Sequence, residues 1–348
     1  MTKETINNFF NLQKDFYNNQ DDIVFINGKI YSISFIRQLN YDQLISIIGI
    51  KPGMKLYKYC SFDKHTIYNI INNQVYLNSP DKFDDLFDSR IDIDESTFYN
   101  HRLKLYLDAL SVKYDESDKN EALIVYLLNN LGEIGKDIIE FKQRINGIII
   151  EENISLSLII IYHKILLNKE NPLCGIVDAL KEEYINYIEE YKKYRITCFT
   201  TSPLSLKMWS LYADYNRGVC IEYTLDTYHT THIFSILYSH IRGDSNYCSS
   251  MKDTRDPETF LKILIESILR KDISWIEQNE YRLVSYDGMY VNNLVPFHPI
   301  TAIYAGNKIS NADLEMVKDI CKRKNIDCYK IEAGKDYFEL KTKKISVD

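Results

Sequence analysis

Glycine is scarce in this chain: 12 residues in 348. No G-x-G-x-x-G, G-x-x-x-x-G-K or G-x-S-x-G occurs, so the glycine cradle of a dinucleotide-binding Rossmann unit, a P-loop and a nucleophile elbow are all missing. Cysteine is sparse and scattered. Cys60, Cys174, Cys198, Cys220, Cys248, Cys321 and Cys328 form no C-x-x-C pair and are odd in number, which argues against a disulfide framework and a zinc ribbon. Cys220 sits in the apolar run Val219-Cys220-Ile221, as a buried thiol would. Long apolar runs are also absent. The richest stretch, 148–162, is cut by Glu151, Glu152 and Asn153, well short of the ~20 residues of a membrane span. The opening MTKETINNFFNLQ lacks the apolar core of a secretory signal, so a cytoplasmic location is expected. Basic charge is not in excess: Lys+Arg is 42, Asp+Glu is 49 and the net charge is −7. A chain that coats nucleic acid needs the opposite balance.

What is present is the composition of a globular protein, 45% hydrophobic and 26% charged, with a length that suits about two domains. The 28 tyrosines are spread over the chain instead of clustering with Lys and Arg, so they do not mark a stacking surface for single strands. Residues 1–20 read as an amphipathic helix with Phe9, Phe10, Leu12 and Phe16 on one face. Asn27-Gly28 between two β-branched runs signals a hairpin. Residues 35–48 look helical up to Pro52-Gly53, and 1–53 reads as an N-terminal extension. Beyond it, 55–60 alternates as a strand, Ser61 is placed to cap a helix, and 74–77 is a short strand. Residues 95–190 are mostly helical and read as an insertion lobe. Strands follow at 195–199, 218–223, 234–240, 281–286, 300–304, 327–331 and 337–340. Helices are expected at 204–212, at 257–270 and, capped by Ser310 with Asp313, through 323. This pattern is α+β, with a mixed or antiparallel central sheet, and not a doubly wound one.

Several constellations carry chemistry on paper. Asp84-Asp85-Leu86-Phe87-Asp88 spells the D-D-x-x-D that holds Mg²⁺ against diphosphates on helices, but the many strand signals here favour a solvated acidic turn. His229 and His232 are three apart, yet they fall in a threonine-rich loop or strand, and no H-E-x-x-H is present. No metal is therefore expected. The remaining polar residues lie on strands and their ends: Tyr57-Lys58-Tyr59, Thr200 with Thr201 and Ser202, Trp209 with Tyr212, Glu222, and Trp275 with Gln278, Glu280 and Arg282. The ordinary role for such alternation is an exposed sheet face.

Five stretches come in a telling order: LYKYCSF, NNQVYLNSPDKFDDLFD, ITCFTTSPLSLKMWSLYADYNRGVCIEY, WIEQNEYRL and ITAIYAGNKIS. Together, over about residues 54–340, they resemble the bacterial domain of unknown function 2971 family. Cys60, Asp84, Leu86 and Gln278 depart from its usual letters. The same order also resembles the ADP-ribosyltransferase fold. There, an early strand before a helix binds cofactor, a middle strand carries small hydroxyl residues, and a late strand carries a catalytic Glu in E-x-E or Q-x-E. Here those places are taken by LYKYCS, by the strand ending at Thr200, and by Gln278-Asn279-Glu280; Lys58 stands where His is common.

That resemblance implies an ADP-ribosyltransferase-like split sheet and an NAD-consuming transferase or glycohydrolase of bacterial conflict, such as phage defence. It implies Glu280 as the carboxylate that stabilises an oxocarbenium-like ribose and Gln278 as the residue that orients an acceptor. Lys58 or Tyr59 would hold ribose or phosphates, alongside Thr200 on the middle strand. Trp209 or Tyr212 would stack on nicotinamide or adenine, and Arg282 would bind pyrophosphate unless it pairs with a nearby carboxylate. Two other readings stay open. One is a non-catalytic sensor or adaptor that meets a protein partner through the 95–190 lobe. The other is a metal-dependent nuclease built on Asp84, Asp85, Asp88, Glu222 and Glu280.

Overall fold

The structure is a computed structural model. It describes residues 23–83, 85, 87–89, 94–131, 152–226, 232–244 and 256–347. The helix expected over 1–20, Asp84 and His229 lie outside the described residues.

The hairpin forms as its turn dictates. Strands β1 (Ile23–Ile26) and β2 (Lys29–Ser32) pair antiparallel, and Asn27 (φ 49°) and Gly28 (φ 79°) take the two left-handed positions of a type I′ turn. One expected helix becomes two, α1 (Ile33–Gln38) and α2 (Tyr41–Ile48). Leu39 is extended between them, and Asn40 caps α2 in a box with Gln43. Strand β3 (Lys55–Cys60) leads to α3 (Lys64–Asn72). Its cap is Asp63, not Ser61: the carboxylate accepts from the His65 and Thr66 amides, and a charge at a helix N-terminus also suits the helix dipole. Strand β4 (Gln74–Tyr76) follows.

Among the described residues, four helices occupy the lobe: α4 (Glu95–Ala109), α5 (Lys119–Leu131), α6 (Glu152–Leu167) and α7 (Pro172–Lys192). The chain then runs through β5 (Tyr194–Phe199), α8 (Leu206–Tyr212), β6 (Val219–Thr224), β7 (Ile233–Ser235), β8 (Leu237–Ser239), α9 (Pro257–Ser267), β9 (Arg270–Asp272) and β10 (Tyr281–Tyr286). It ends with β11 (Leu294–Pro296), β12 (Ile300–Ala305), α10 (Asn311–Lys324), β13 (Asp327–Ala333) and β14 (Leu340–Lys344). Ser310 caps α10 by accepting from the Asp313 amide, as its spacing indicates. The single strand expected over 234–240 is two short ones in different sheets. The helix expected to reach 270 stops at Ser267, where the chain turns into β9. The last strand begins at Leu340, not at 337.

The chain divides into two compact units. One comprises Met1–Arg90, Lys193–Gly243 and Ser267–Asp348; the other comprises Ile91–Lys192 and Asp244–Glu266. In the helical unit, Leu107, Leu123, Leu158, Tyr162 and Leu180 form the core, and Glu183 takes hydrogen bonds from Arg102 and Tyr106. Among the described residues no helix is long and apolar enough to cross a membrane.

The first unit holds every described sheet, a mixture of antiparallel and parallel pairings. The largest has the order β14-β13-β12-β6-β3, parallel only at β12–β13. A second has the order β5-β10-β7 and a third β2-β1-β8-β9. The hairpin thus joins this unit through β1–β8. The first two sheets meet where Tyr57 and Thr200 exchange amide bonds of 2.8 and 2.9 Å. Phe199 and Phe297 stack at 4.7 Å in the core beneath, with Tyr223 edge-on to both. Gly218 enters β6 so close to β3 that a Cβ would lie 2.1 Å from the Cys60 carbonyl oxygen. Gly218→Ala should therefore force the two strands apart. We expect a loss of about 1–3 kcal/mol, read as a lowered Tm.

Candidate functional site

The site begins at the N-terminal end of β10. Residues two apart on a strand share a face, so Glu280 and Arg282 point the same way. Before them, a short 3₁₀ helix (Ile273–Gln278) is capped by Asp272 and ends at Asn279, whose φ of 42° reverses the backbone. Asn tolerates that left-handed conformation better than most residues. The reversal brings Gln278 to the same interior as Glu280. Lys271 arrives from β9, and Asp88 and Ser89 from the segment after β4.

These side chains close a ring of alternating charge. Lys271 Nζ donates to Glu280 Oε2 at 2.6 Å, to Asp88 Oδ2 at 3.1 Å and to Gln278 Oε1 at 2.9 Å. Arg282 Nε donates to Glu280 Oε1 at 2.6 Å, and its terminal nitrogens donate to Asp88 Oδ2 at 2.7 Å, to Ser89 Oγ at 2.6 Å and to the Ile268 carbonyl. All four charged side chains are at least nine-tenths buried. Two cations meet two carboxylates, so the formal charges of the ring balance. Burial alone would neutralise Glu280, but the Arg282 and Lys271 charges outweigh it and hold the carboxyl well below the usual range. Burial likewise works against the Lys271 ammonium, and Glu280 and Asp88 overcome it, pushing its pKa up.

This fixes the sign of a pH effect. Glu280 contributes its full stabilisation above its unfolded pKa of ~4.3 and loses it as the pH falls through the depressed folded value. Lys271 contributes fully below ~10.4 and loses its share only as the pH rises beyond that. A scan of Tm against pH should show an acid limb below about pH 4.5. That limb should be shallower in Glu280→Gln than in the native protein.

Beside the ring lies a cavity of about 250 Å³. Tyr57, Lys58 and Tyr59 of β3 line one side, Gln278, Glu280 and Lys271 another, and Tyr212 and Trp275 face in as well. The Tyr57 hydroxyl donates to Glu222 and the Tyr59 hydroxyl to the Ser202 carbonyl, so neither hydroxyl is spare. Lys58 is half-buried and donates to Thr197 Oγ1 at 2.6 Å and the Cys198 carbonyl at 3.2 Å. Asp85 and Cys198 also line the space. Burial and the Glu280 charge raise the Cys198 thiol to about 12, so at neutral pH it is protonated and a poor nucleophile.

Of the residues singled out in the sequence, the structure brings Lys58, Tyr59, Tyr212, Gln278 and Glu280 to this one cavity. Thr200, Trp209 and Arg282 do not line it. Thr200 lies behind the wall, where its hydroxyl donates to the Gln278 carbonyl at 2.6 Å. Trp209 is wholly buried: its indole donates to the Pro203 carbonyl, and its ring meets Tyr59 edge-on at 5.1 Å. Arg282 is committed to Glu280 and Asp88, which leaves no fork for a pyrophosphate. Lys271 lies just past the helix expected over 257–270; β9 forms there instead, and Leu269, Arg270, Lys271 and Ile273 are all buried.

Glu222 on β6 belongs to a separate cluster. Its carboxylate accepts from Lys55, Thr301, Tyr57 and Tyr304 at 2.7–3.0 Å. Among the described residues, no group of three or more His, Cys, Asp or Glu is placed to hold a metal ion. The chain matches no family model, no curated protein and no solved structure.

Proposed function

We propose that this chain consumes NAD in the manner of an ADP-ribosyltransferase or NAD glycohydrolase. In this reading the cavity takes the nicotinamide mononucleotide half of the molecule. One observation carries it: Glu280 and Gln278, from late in the chain, share a cavity with the Lys58–Tyr59 edge of β3, from early in the chain. At about 250 Å³ the cavity lies just below the ~300–1,000 Å³ of pockets for drug-sized ligands, which suits half of the dinucleotide and not the whole. The adenylate half would extend through the mouth.

Glu280 has the character this chemistry needs. It is ionised at neutral pH, held rigidly, and removed from bulk water, where a fixed charge acts strongly. It would stabilise the positive charge that develops at the ribose as the C1′–N bond breaks and its electron pair leaves with nicotinamide. Water, or an acceptor nucleophile, would then bond to C1′ and release a proton. Gln278, tied to Lys271 and Tyr212, would orient that nucleophile. Tyr212 and Trp275 would flank the departing ring. A role in bacterial conflict such as phage defence is what the resemblance implies; a protein partner at the 95–190 lobe belongs to the sensor reading below.

A specific observation favours a second reading. Both Glu280 oxygens already accept from cations, Lys271 and Arg282, which suits a sensor that binds the nucleotide without cleaving it. Incubating the purified chain with NAD and measuring free nicotinamide by chromatography separates the two. Release of nicotinamide supports the enzyme, binding without release supports the sensor, and neither binding nor release overturns both.

A further inference from the structure

The ring of Asp88, Lys271, Glu280 and Arg282 cancels its own charge, which leaves two other ionic side chains on the cavity wall. Lys58 is in no ion pair among the described residues; two of its three N–H groups go to neutral oxygens, leaving one for a ligand. Asp85 is likewise in no ion pair among the described residues. Its Oδ1 accepts from the Phe87 amide at 2.9 Å, and its other oxygen has no partner among the described residues. A half-buried cation and a half-buried carboxylate, each without a counter-ion, line the same small space. Aromatic rings at Tyr59 and Tyr212 complete it, and such faces attract a cationic ring; the Trp275 ring already has Lys207 and Lys271 over it.

We propose that the cavity selects a zwitterionic mononucleotide, with a pyridinium ring towards Asp85 and a phosphate on Lys58. The identity of the ring rests on the nicotinamide reading above; the pairing of charges rests on the cavity. A purely anionic nucleotide would satisfy Lys58 and meet repulsion from Asp85. A cationic nucleoside would do the reverse. Only a ligand with one charge of each sign supplies both counter-ions.

Stopped-flow quenching of tryptophan fluorescence reads binding before turnover. The probes are nicotinamide mononucleotide, its reduced form with a neutral ring, nicotinamide riboside without the phosphate, and AMP. The oxidised mononucleotide should bind about tenfold or more tighter than each of the others, the effect of one charge-assisted contact. Asp85→Asn should bring the oxidised and reduced forms to within about twofold of each other, and Lys58→Met should do the same for mononucleotide and riboside. Equal affinities across the four probes in the native protein overturn the proposal, whether or not the variants fold. So does an Asp85→Asn effect that is the same for both ring states. Cleavage of NAD with no such selectivity would leave the proposed activity standing without this inference. Selectivity without cleavage would do the opposite.

Discussion

Glu280→Gln should abolish nicotinamide release, with a loss of about 10²–10³-fold or more, the scale of removing one preorganised electrostatic group from a transition state. The amide nearly matches the carboxylate in shape, so the cavity keeps its volume and loses only the charge. That charge also belongs to the ring, and removing it leaves Lys271 and Arg282 facing Asp88 alone. A fall in activity could then reflect a fall in folded protein. The double variant Lys271→Met, Glu280→Gln separates these effects. It leaves Arg282 opposite Asp88, one cation against one carboxylate, and should recover much of the thermal stability lost in the single variant. It should not recover activity. Recovery of nicotinamide release in the double variant would show that Glu280 acts only by holding the fold.

The second large effect is on stability. Arg282 is wholly buried and bonded to Glu280, Asp88, Ser89 and the Ile268 carbonyl, so it ties β10 to two other segments of the first unit. Arg282→Met keeps most of the side chain's bulk and removes its charge. Two carboxylates then share one lysine in a dry interior. Removing one partner of a buried ionic set costs about 3–5 kcal/mol. For a folding unit of this size that corresponds to a drop in Tm on the order of 10 °C. Pairing Arg282→Met with Asp88→Asn rebalances the charge and should restore part of the loss. Calorimetry of the native protein, the two single variants and the double variant checks this, and additive losses would contradict a closed ring.

Local rules made much of this legible. Asn27-Gly28 announced its turn, Ser310 its helix, and the alternation in Lys55–Cys60 its strand. Where the sequence misled, two local signals competed. Ser61 and Asp63 can each cap the same helix, and the carboxylate won. Leu39 and Asn40 broke a helix that apolar spacing alone would continue. The candidate site was legible only in part, for a reason rooted in charge. Lys271 and Arg282 look like surface residues by type, and only their partners make them interior ones. Glu280 lies two residues from Arg282 on the same strand face, but Asp88 comes from a distant segment, and no local pattern records that long-range ion pair. Arg282 could be read as a ligand for phosphate because an arginine's type does not say which anion it meets.

The most direct measurement is a crystal structure of the chain with nicotinamide mononucleotide. Density for the ligand inside the cavity of β3 and β10 is expected, with its ribose against Glu280 and its phosphate on Lys58. Saturating ligand bound elsewhere on the molecule, with that cavity filled only by water, would contradict the account.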